Sequence, residues 1–250
     1  MKLAGARALI TGASSGIGSA TALLLARAGA TPLLTGRDAT ALDALAKQTD
    51  GAALAVDLGG HGAAQTLADW AVETAGGVDL LVCNAGVGWA GDLAEMPAAK
   101  LDELIEINLA THLRLTRLLL PAMVRRGSGQ LVFVSSIAGS LGVADEAVYA
   151  GTKAALRTFA GSLRLAVAKS GVGVSVVVPG VVATPFFNRR GTPYDRTRPK
   201  PIPAEAVARA LVDAVVRNRS EVFAPGWLRF PARFYGVAPD LVHALQRRFG

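Results

Sequence analysis

Two kinds of apolar pattern alternate along this chain. Short, nearly continuous apolar runs occupy 7–11, 32–35, 53–56, 80–83, 130–134 and 172–178. Runs of that length, rich in Val, Leu and Ile, predict strands buried on both faces. Between them lie stretches whose apolar positions recur three and four apart, predicting helices at 19–28, 41–47, 65–74, 102–124 and 148–168. The stripe of the longest, through Leu104, Ile107, Leu115 and Leu118, is wide enough for burial on more than one side. Pro203-Ala-Glu opens a further helix through Arg217, and 221–223 reads as a last short strand. Strands and helices in this rhythm predict an α/β fold, doubly wound, with a parallel sheet covered on both faces. The chain shows no internal repeat and no linker, so 1–250 reads as a single domain. Its irregular stretch, 184–203, reads as a loop, and 225–250 as a C-terminal extension.

Composition narrows this picture. Half of the 250 residues are hydrophobic (51%) while aromatics make up only 6%, so small aliphatic side chains must fill the core. The single cysteine, Cys83, excludes an intrachain disulfide and, lying inside an apolar run, reads as a buried small residue rather than a nucleophile. The longest apolar stretch, 171–187, is interrupted by Pro179-Gly180 and does not predict a membrane span. Lys2 and Arg7 ahead of a few apolar residues do not make a signal peptide, and a cytoplasmic location is expected. The formal charge of +7 comes from scattered basic residues with no interleaved aromatics, which argues against nucleic acid and suits an anionic cofactor. His61, His112 and His243 stand apart, so no metal site is expected.

The first strand runs directly into Thr11-Gly12-Ala-Ser14-Ser15-Gly16-Ile17-Gly18 and then a helix. A glycine turn there aims backbone N–H groups and a helix N-terminus at a pyrophosphate. Gly12 would make the turn, Gly16 would admit the phosphates and Gly18 would let the helix pack on the sheet. An acidic residue closing the second strand would bind the adenosine 2′-hydroxyl. This chain has Gly36 and then Arg37, which can pair with a 2′-phosphate, helped by Ser14 and Thr35, so NADP(H) is favoured over NAD. Asp38 is the residue that would neutralise Arg37 instead.

Further on, Tyr149 and Lys153 lie four apart, on one face of the predicted helix. A phenol titrates near 10. An ammonium at roughly 5 Å, at an effective dielectric of about 20, would favour phenolate by about 3 kcal/mol, roughly two pKa units. That would bring the tyrosine toward the range of a general acid or base. Ser136, at a neighbouring strand end, could hold the reacting oxygen.

Taken in order, Thr11 to Gly18, Asp57-Leu58, Asn84-Ala85-Gly86, Asn108, Ser136, Tyr149 with Lys153, and Pro179-Gly180-Val-Val182-Ala-Thr184 resemble the short-chain dehydrogenase/reductase family over nearly the whole chain. The resemblance implies a Rossmann fold with a seven-stranded parallel sheet, and a homodimer or homotetramer built through two long helices. It implies Tyr149 as proton donor and acceptor, Lys153 as the residue that lowers its pKa and holds the nicotinamide ribose, and Ser136 as partner of the substrate oxygen. Ser135 is the neighbouring candidate, but Ser136 fits the Ser-x-x-Gly spacing through Gly139. Asn108 is implied to kink its helix and hold a water that relays protons to Lys153. Asp57 and Leu58 match positions that meet the adenine, Asn84 to Gly86 the wall behind adenosine, and Val182 and Thr184 the carboxamide contacts.

The C-terminus departs from many family members and points to a bulky apolar carbonyl substrate rather than an acyl-carrier-protein thioester. Trp227, Phe230 and Phe234 would share one side of a helix unless Pro231 interrupts it. A lid over an apolar pocket is one reading; packing against the body or a partner subunit is preferred to a membrane-surface contact. The cations Arg189, Arg190, Arg196, Arg198 and Lys200 read as a solvated basic loop in preference to a site for an anionic substrate such as a coenzyme A thioester. The expected activity is NADPH-dependent reduction of a carbonyl, or oxidation of the matching secondary alcohol. The alternatives are a non-catalytic NADP(H)-binding regulator and an NAD-using alcohol dehydrogenase.

Overall fold

The structure, a computed structural model, describes residues 1–195, 197 and 199–249. Its elements follow the predicted alternation: β1 (Arg7–Thr11), α1 (Gly16–Arg27), β2 (Thr31–Gly36), α2 (Ala39–Thr49), β3 (Ala52–Ala55), α3 (Ala63–Ala75) and β4 (Leu80–Cys83). Next come α4 (Ala98–Ile105), a π-helical turn (Glu106–Ala110), α5 (Thr111–Arg126), β5 (Gly129–Val134), α6 (Ala138–Leu141) and α7 (Ala147–Ala166). The last third holds β6 (Val172–Pro179), β7 (Val182–Ala183), α8 (Phe186–Arg189), β8 (Ile202–Pro203), α9 (Ala204–Val216), β9 (Glu221–Ala224), α10 (Arg229–Tyr235) and α11 (Pro239–Phe249).

Seven parallel strands form one sheet in the order β3-β2-β1-β4-β5-β6-β9. Side chains alternate across it. On β1, Ala8 and Ile10 join the apolar layer under α1, α2 and α9, while Leu9 joins the layer under α3, α5 and α7. Both faces are therefore dry, which is why the strands read as continuous apolar runs. The order reverses at β1 and β4, and in such sheets ligands sit beyond the C-terminal strand ends at that crevice. Because every strand points the same way, Gly12, Arg37, Asp57, Asn84, Ser136 and Gly180 all follow C-terminal strand ends along one edge of the sheet.

The expected long helix is not one helix. It begins earlier, at Ala98, and the π turn divides it at Asn108. The expected loop 184–203 holds one turn of helix, α8, and is tied by the two-residue pairing of β7 with β8. Of the two expected placements for the C-terminal aromatics, against the body or against a partner subunit, the first is not found. Trp227, Phe230 and Phe234 are 54%, 60% and 45% exposed, and Leu228 and Ala232 turn inward in their place. Pro231 does not interrupt α10, since it falls in the first turn, where its missing N–H breaks no helical bond. No described helix is long and apolar enough to cross a membrane.

Candidate active site

The glycine turn is built by close approaches that side chains would block. A Cβ on Gly18 would lie 2.2 Å from the Gly12 carbonyl oxygen, and one on Gly12 2.9 Å from Cα of Ala85. Gly16, at φ +56°, accepts Thr184 so closely that a Cβ would meet its methyl at 2.8 Å. Helix α1 starts at Gly16, three residues earlier than its apolar pattern predicts, so its free N–H groups open onto the turn. Ile17 packs against the core beneath.

Thr11 holds the turn to its neighbour strand. Its hydroxyl accepts the N–H groups of Asn84 and Ala85 at 2.9 and 3.0 Å, and Asn84 Nδ2 returns a bond to the Thr11 carbonyl at 2.9 Å. At the end of β2, a Cβ on Gly36 would lie 3.0 Å from Ser14 Oγ, which leaves that hydroxyl beside Arg37. Asp38 does not neutralise Arg37; it caps α2 by accepting the Ala41 N–H at 3.0 Å. Arg37 is half-exposed and lies 3.9 Å from Glu103. Thr35 is no helper for a phosphate, because it is wholly buried within β2. Asp57 Oδ1 accepts the Gly59 N–H, while Leu58 sinks its side chain into the core and fixes its carbonyl on the Thr111 hydroxyl at 2.8 Å. The donors, the cleared space and the cation fit a nicotinamide dinucleotide.

Asn108, Ser136, Tyr149 and Lys153 come together at the same edge, each buried. In the π turn, Asn108 grips the backbone of Val87 through both ends of its amide, at 2.8 and 2.9 Å, and reaches Thr152 Oγ1 at 3.2 Å. A Cβ on Gly86 would lie 3.2 Å from Lys153 Nζ and 3.3 Å from Asn108 Oδ1, so glycine there makes room for both. Ser135 donates to the Lys153 carbonyl at 2.8 Å and is thereby committed to holding α7. Ser136 Oγ accepts the local Ala138 N–H at 3.2 Å, which leaves its hydroxyl proton to turn toward Tyr149. Gly139 allows the backbone of α6 to close on α7, where a Cβ would meet Ala154 N at 2.6 Å. Pro179 accepts the Ile137 N–H at 2.8 Å, and Gly180 clears a methyl of Leu228. Val182 is buried in the core.

The expected depression of the tyrosine is not found. Burial pushes the Tyr149 phenol up to about 12, a hydrogen bond from Ser136 and the charge of Arg190 pull it back only in part, and Glu146 adds to the rise. Lys153 is pushed down to about 8 by burial. Its ammonium is aimed at the Val134 carbonyl, 3.0 Å away, and lies 5.8 Å from the centre of the tyrosine ring. Removing the phenolate from water outweighs any gain from that ammonium. The same burial raises the Cys83 thiol well above its ordinary value, as fits an inert core residue.

Apolar side chains enclose the tyrosine. Phe186 packs on its ring at 5.4 Å between centroids, with Trp89, Val143 and Val148 in the same cluster. The basic loop divides by residue. Arg190 is buried in an ion pair with Glu146 and stacks on Phe187 at 4.7 Å. Arg189 bonds Ser15, Lys200 is exposed, and Arg196 and Arg198 lie outside the described residues.

His112 was legible only as an isolated histidine. It lies one turn beyond Asn108, fully buried, with Nε2 3.2 Å from Thr11 Oγ1 and Nδ1 3.4 Å from the Asn108 carbonyl. It ties the turn to the π segment as a neutral ring, and burial pushes its pKa down to about 3. The unfolded chain takes up a proton near 6.5 and the folded chain does not. Stability contributed by His112 is thus full above pH 6.5 and is lost as pH falls toward 3. Urea unfolding should show a loss of roughly 3 kcal/mol by about pH 4.5. In His112→Gln that part of the slope should vanish, and an unchanged slope would contradict the assignment.

Residues 6–195 match the short chain dehydrogenase family model. An uncharacterized oxidoreductase of Myxococcus xanthus is 35% identical over 249 residues, 96% of each chain. A short-chain dehydrogenase of Sphingobium yanoikuyae, solved with NADPH, superposes with a TM-score of 0.82 at 27% identity, covering 94% of this chain and 95% of that one. One from Burkholderia phymatum, solved with NAD, gives 0.86 at 25% identity over 96% of each. The chain belongs to the short-chain dehydrogenase family, oxidoreductases that use a nicotinamide dinucleotide.

Proposed function

We propose that the protein is an NADP(H)-dependent oxidoreductase that reduces the carbonyl of a bulky apolar substrate, or oxidises the matching secondary alcohol. The observation that carries this reading is the Tyr149 phenol, buried with Ser136, Lys153 and Asn108 beneath an apolar cluster at the edge of the sheet where the glycine turn opens. Bound cofactor supplies the hydride. Ser136 holds the carbonyl oxygen, and Tyr149 gives that oxygen its proton as the alcohol forms. A phenol held near 12 carries its proton at neutral pH, as a donor to the carbonyl oxygen must. Lys153 holds the ribose, and Asn108 fixes the backbone beside it. The apolar wall of Trp89, Val143, Val148 and Phe186 supports an apolar substrate.

NADP(H) is supported by Arg37 and Ser14 at the end of β2 and by the use of Asp38 as a helix cap. The relative from Sphingobium yanoikuyae was solved with NADPH, the one from Burkholderia phymatum with NAD. Steady-state kinetics with an aldehyde and ketone panel should give kcat/KM for NADPH at least about tenfold above that for NADH, from one charge-assisted contact. Arg37→Ala should erase the preference by raising KM for NADPH while leaving NADH nearly unchanged. Equal use of both cofactors by the native protein would overturn the NADP(H) assignment. No turnover of any panel member would favour a non-catalytic role.

A further inference from the structure

We propose that Arg189 clamps the pyrophosphate of the dinucleotide, so that the segment covering the substrate side also holds the cofactor. This rests on the reading that the glycine turn binds NADP(H). Arg189 Nη1 donates to Ser15 Oγ at 3.1 Å, across 174 positions of sequence. Ser15 is the N-cap of α1, yet its side chain makes no capping bond, which leaves the hydroxyl free to receive the guanidinium.

A guanidinium beside a helix N-terminus faces the positive end of the helix dipole, an unfavourable place for a cation by itself. Half-buried Arg7, Arg157 and Arg190 pair with Asp79, Glu221 and Glu146, and half-buried Arg164 bonds Asn218 and the Val174 carbonyl, whereas the exposed Arg189 reaches across to the start of α1. Among the described residues no carboxylate forms an ion pair with Arg189. A diphosphate between the α1 N–H groups and the guanidinium would satisfy both, and the planar fork of arginine suits two phosphate oxygens. The seating of the segment is independent of that bond, since Thr184 lies against the bare Cα of Gly16.

The same single turn, α8, carries Phe186 onto the Tyr149 ring at 5.4 Å and Arg189 onto Ser15. Three residues apart, they share one side of that turn. Pyrophosphate held by Arg189 would therefore fix the cover over the tyrosine, and cofactor would bind ahead of substrate.

Calorimetric titration with two fragments separates this clamp from the 2′-phosphate site. ADP-ribose carries the pyrophosphate and no 2′-phosphate; 2′-AMP carries the reverse. Arg189→Ala should weaken ADP-ribose and NADPH by about tenfold, the effect of one charge-assisted contact at a half-open site, and leave 2′-AMP within about twofold. Arg189→Lys should recover part of the loss, and Arg37→Ala should show the opposite pattern. Native affinity of Arg189→Ala for ADP-ribose would overturn this proposal alone. A native protein that binds neither NADPH nor either fragment would overturn the cofactor reading and this proposal with it.

Discussion

Tyr149→Phe is expected to lower kcat by about a thousandfold, the usual scale of a positioned proton donor, and to leave the Kd for NADPH within about twofold. The substitution removes one hydroxyl and keeps the ring, so the packing on Phe186 at 5.4 Å is preserved. What is lost is the hydroxyl to which the proposed mechanism assigns the proton given to the substrate oxygen. Loss of a buried, strongly raised phenol also has a stability signature. Because the folded pKa is raised to about 12, the folded chain keeps its proton where the unfolded chain releases it. Stability from Tyr149 is full below about pH 10 and declines as pH rises toward 12. The phenylalanine variant should lack that alkaline decline. Single-turnover reduction and fluorescence titration measure the two halves of the expectation. A variant that turns over within tenfold of the native rate would remove Tyr149 from the mechanism.

Gly18→Ala is expected to lower the Tm by roughly 10 °C and to weaken NADPH binding by more than about tenfold. The added Cβ would lie 2.2 Å from the Gly12 carbonyl oxygen and 2.7 Å from Asn84 Nδ2. The first of these is backbone in the turn itself, so nothing flexible can yield. Overpacking of this kind costs about 3 kcal/mol, and in a chain of this size each kcal/mol is worth roughly 2 to 4 °C. Helix α1 must lift from the sheet, and the N–H groups at its start move with it. Gly161→Ala is the matched control. Nothing lies within 4 Å of its added methyl on α7, so stability should hold or rise by about 0.5 to 1 kcal/mol. Equal Tm values for the two variants would show that the turn is not close-packed.

Much of this was readable in one dimension. Continuous apolar runs announced a parallel sheet, because burial on both faces removes any reason for polar alternation. The glycine spacing after β1 announced the turn, because only glycine tolerates backbone at those distances. The start of α1 was misplaced by three residues, since Gly16-Ile17-Gly18 carries no helical pattern although its backbone is helical. Arg189 and Arg190 are neighbours in sequence with the same charge. Only the turn of α8 sends one to Ser15 and the other to Glu146. Spacing to Gly139 favoured Ser136 over Ser135 in the sequence; the physical reason, the Ser135 hydroxyl spent on the Lys153 carbonyl, comes only from the structure.

The sequence by itself determined the layered α/β fold and the tyrosine–lysine pair on one helix, because periodicity and spacing are local properties. The glycine-lined turn was fixed in the same way. What only the tertiary structure decided was electrostatic. The Tyr149 pKa rises where spacing alone predicted a fall, since desolvation depends on everything packed around a group, and Lys153 spends its charge on a strand carbonyl. His112 became a strut between Thr11 and Asn108 for the same reason: its environment comes from segments 101 residues apart, which no local pattern records.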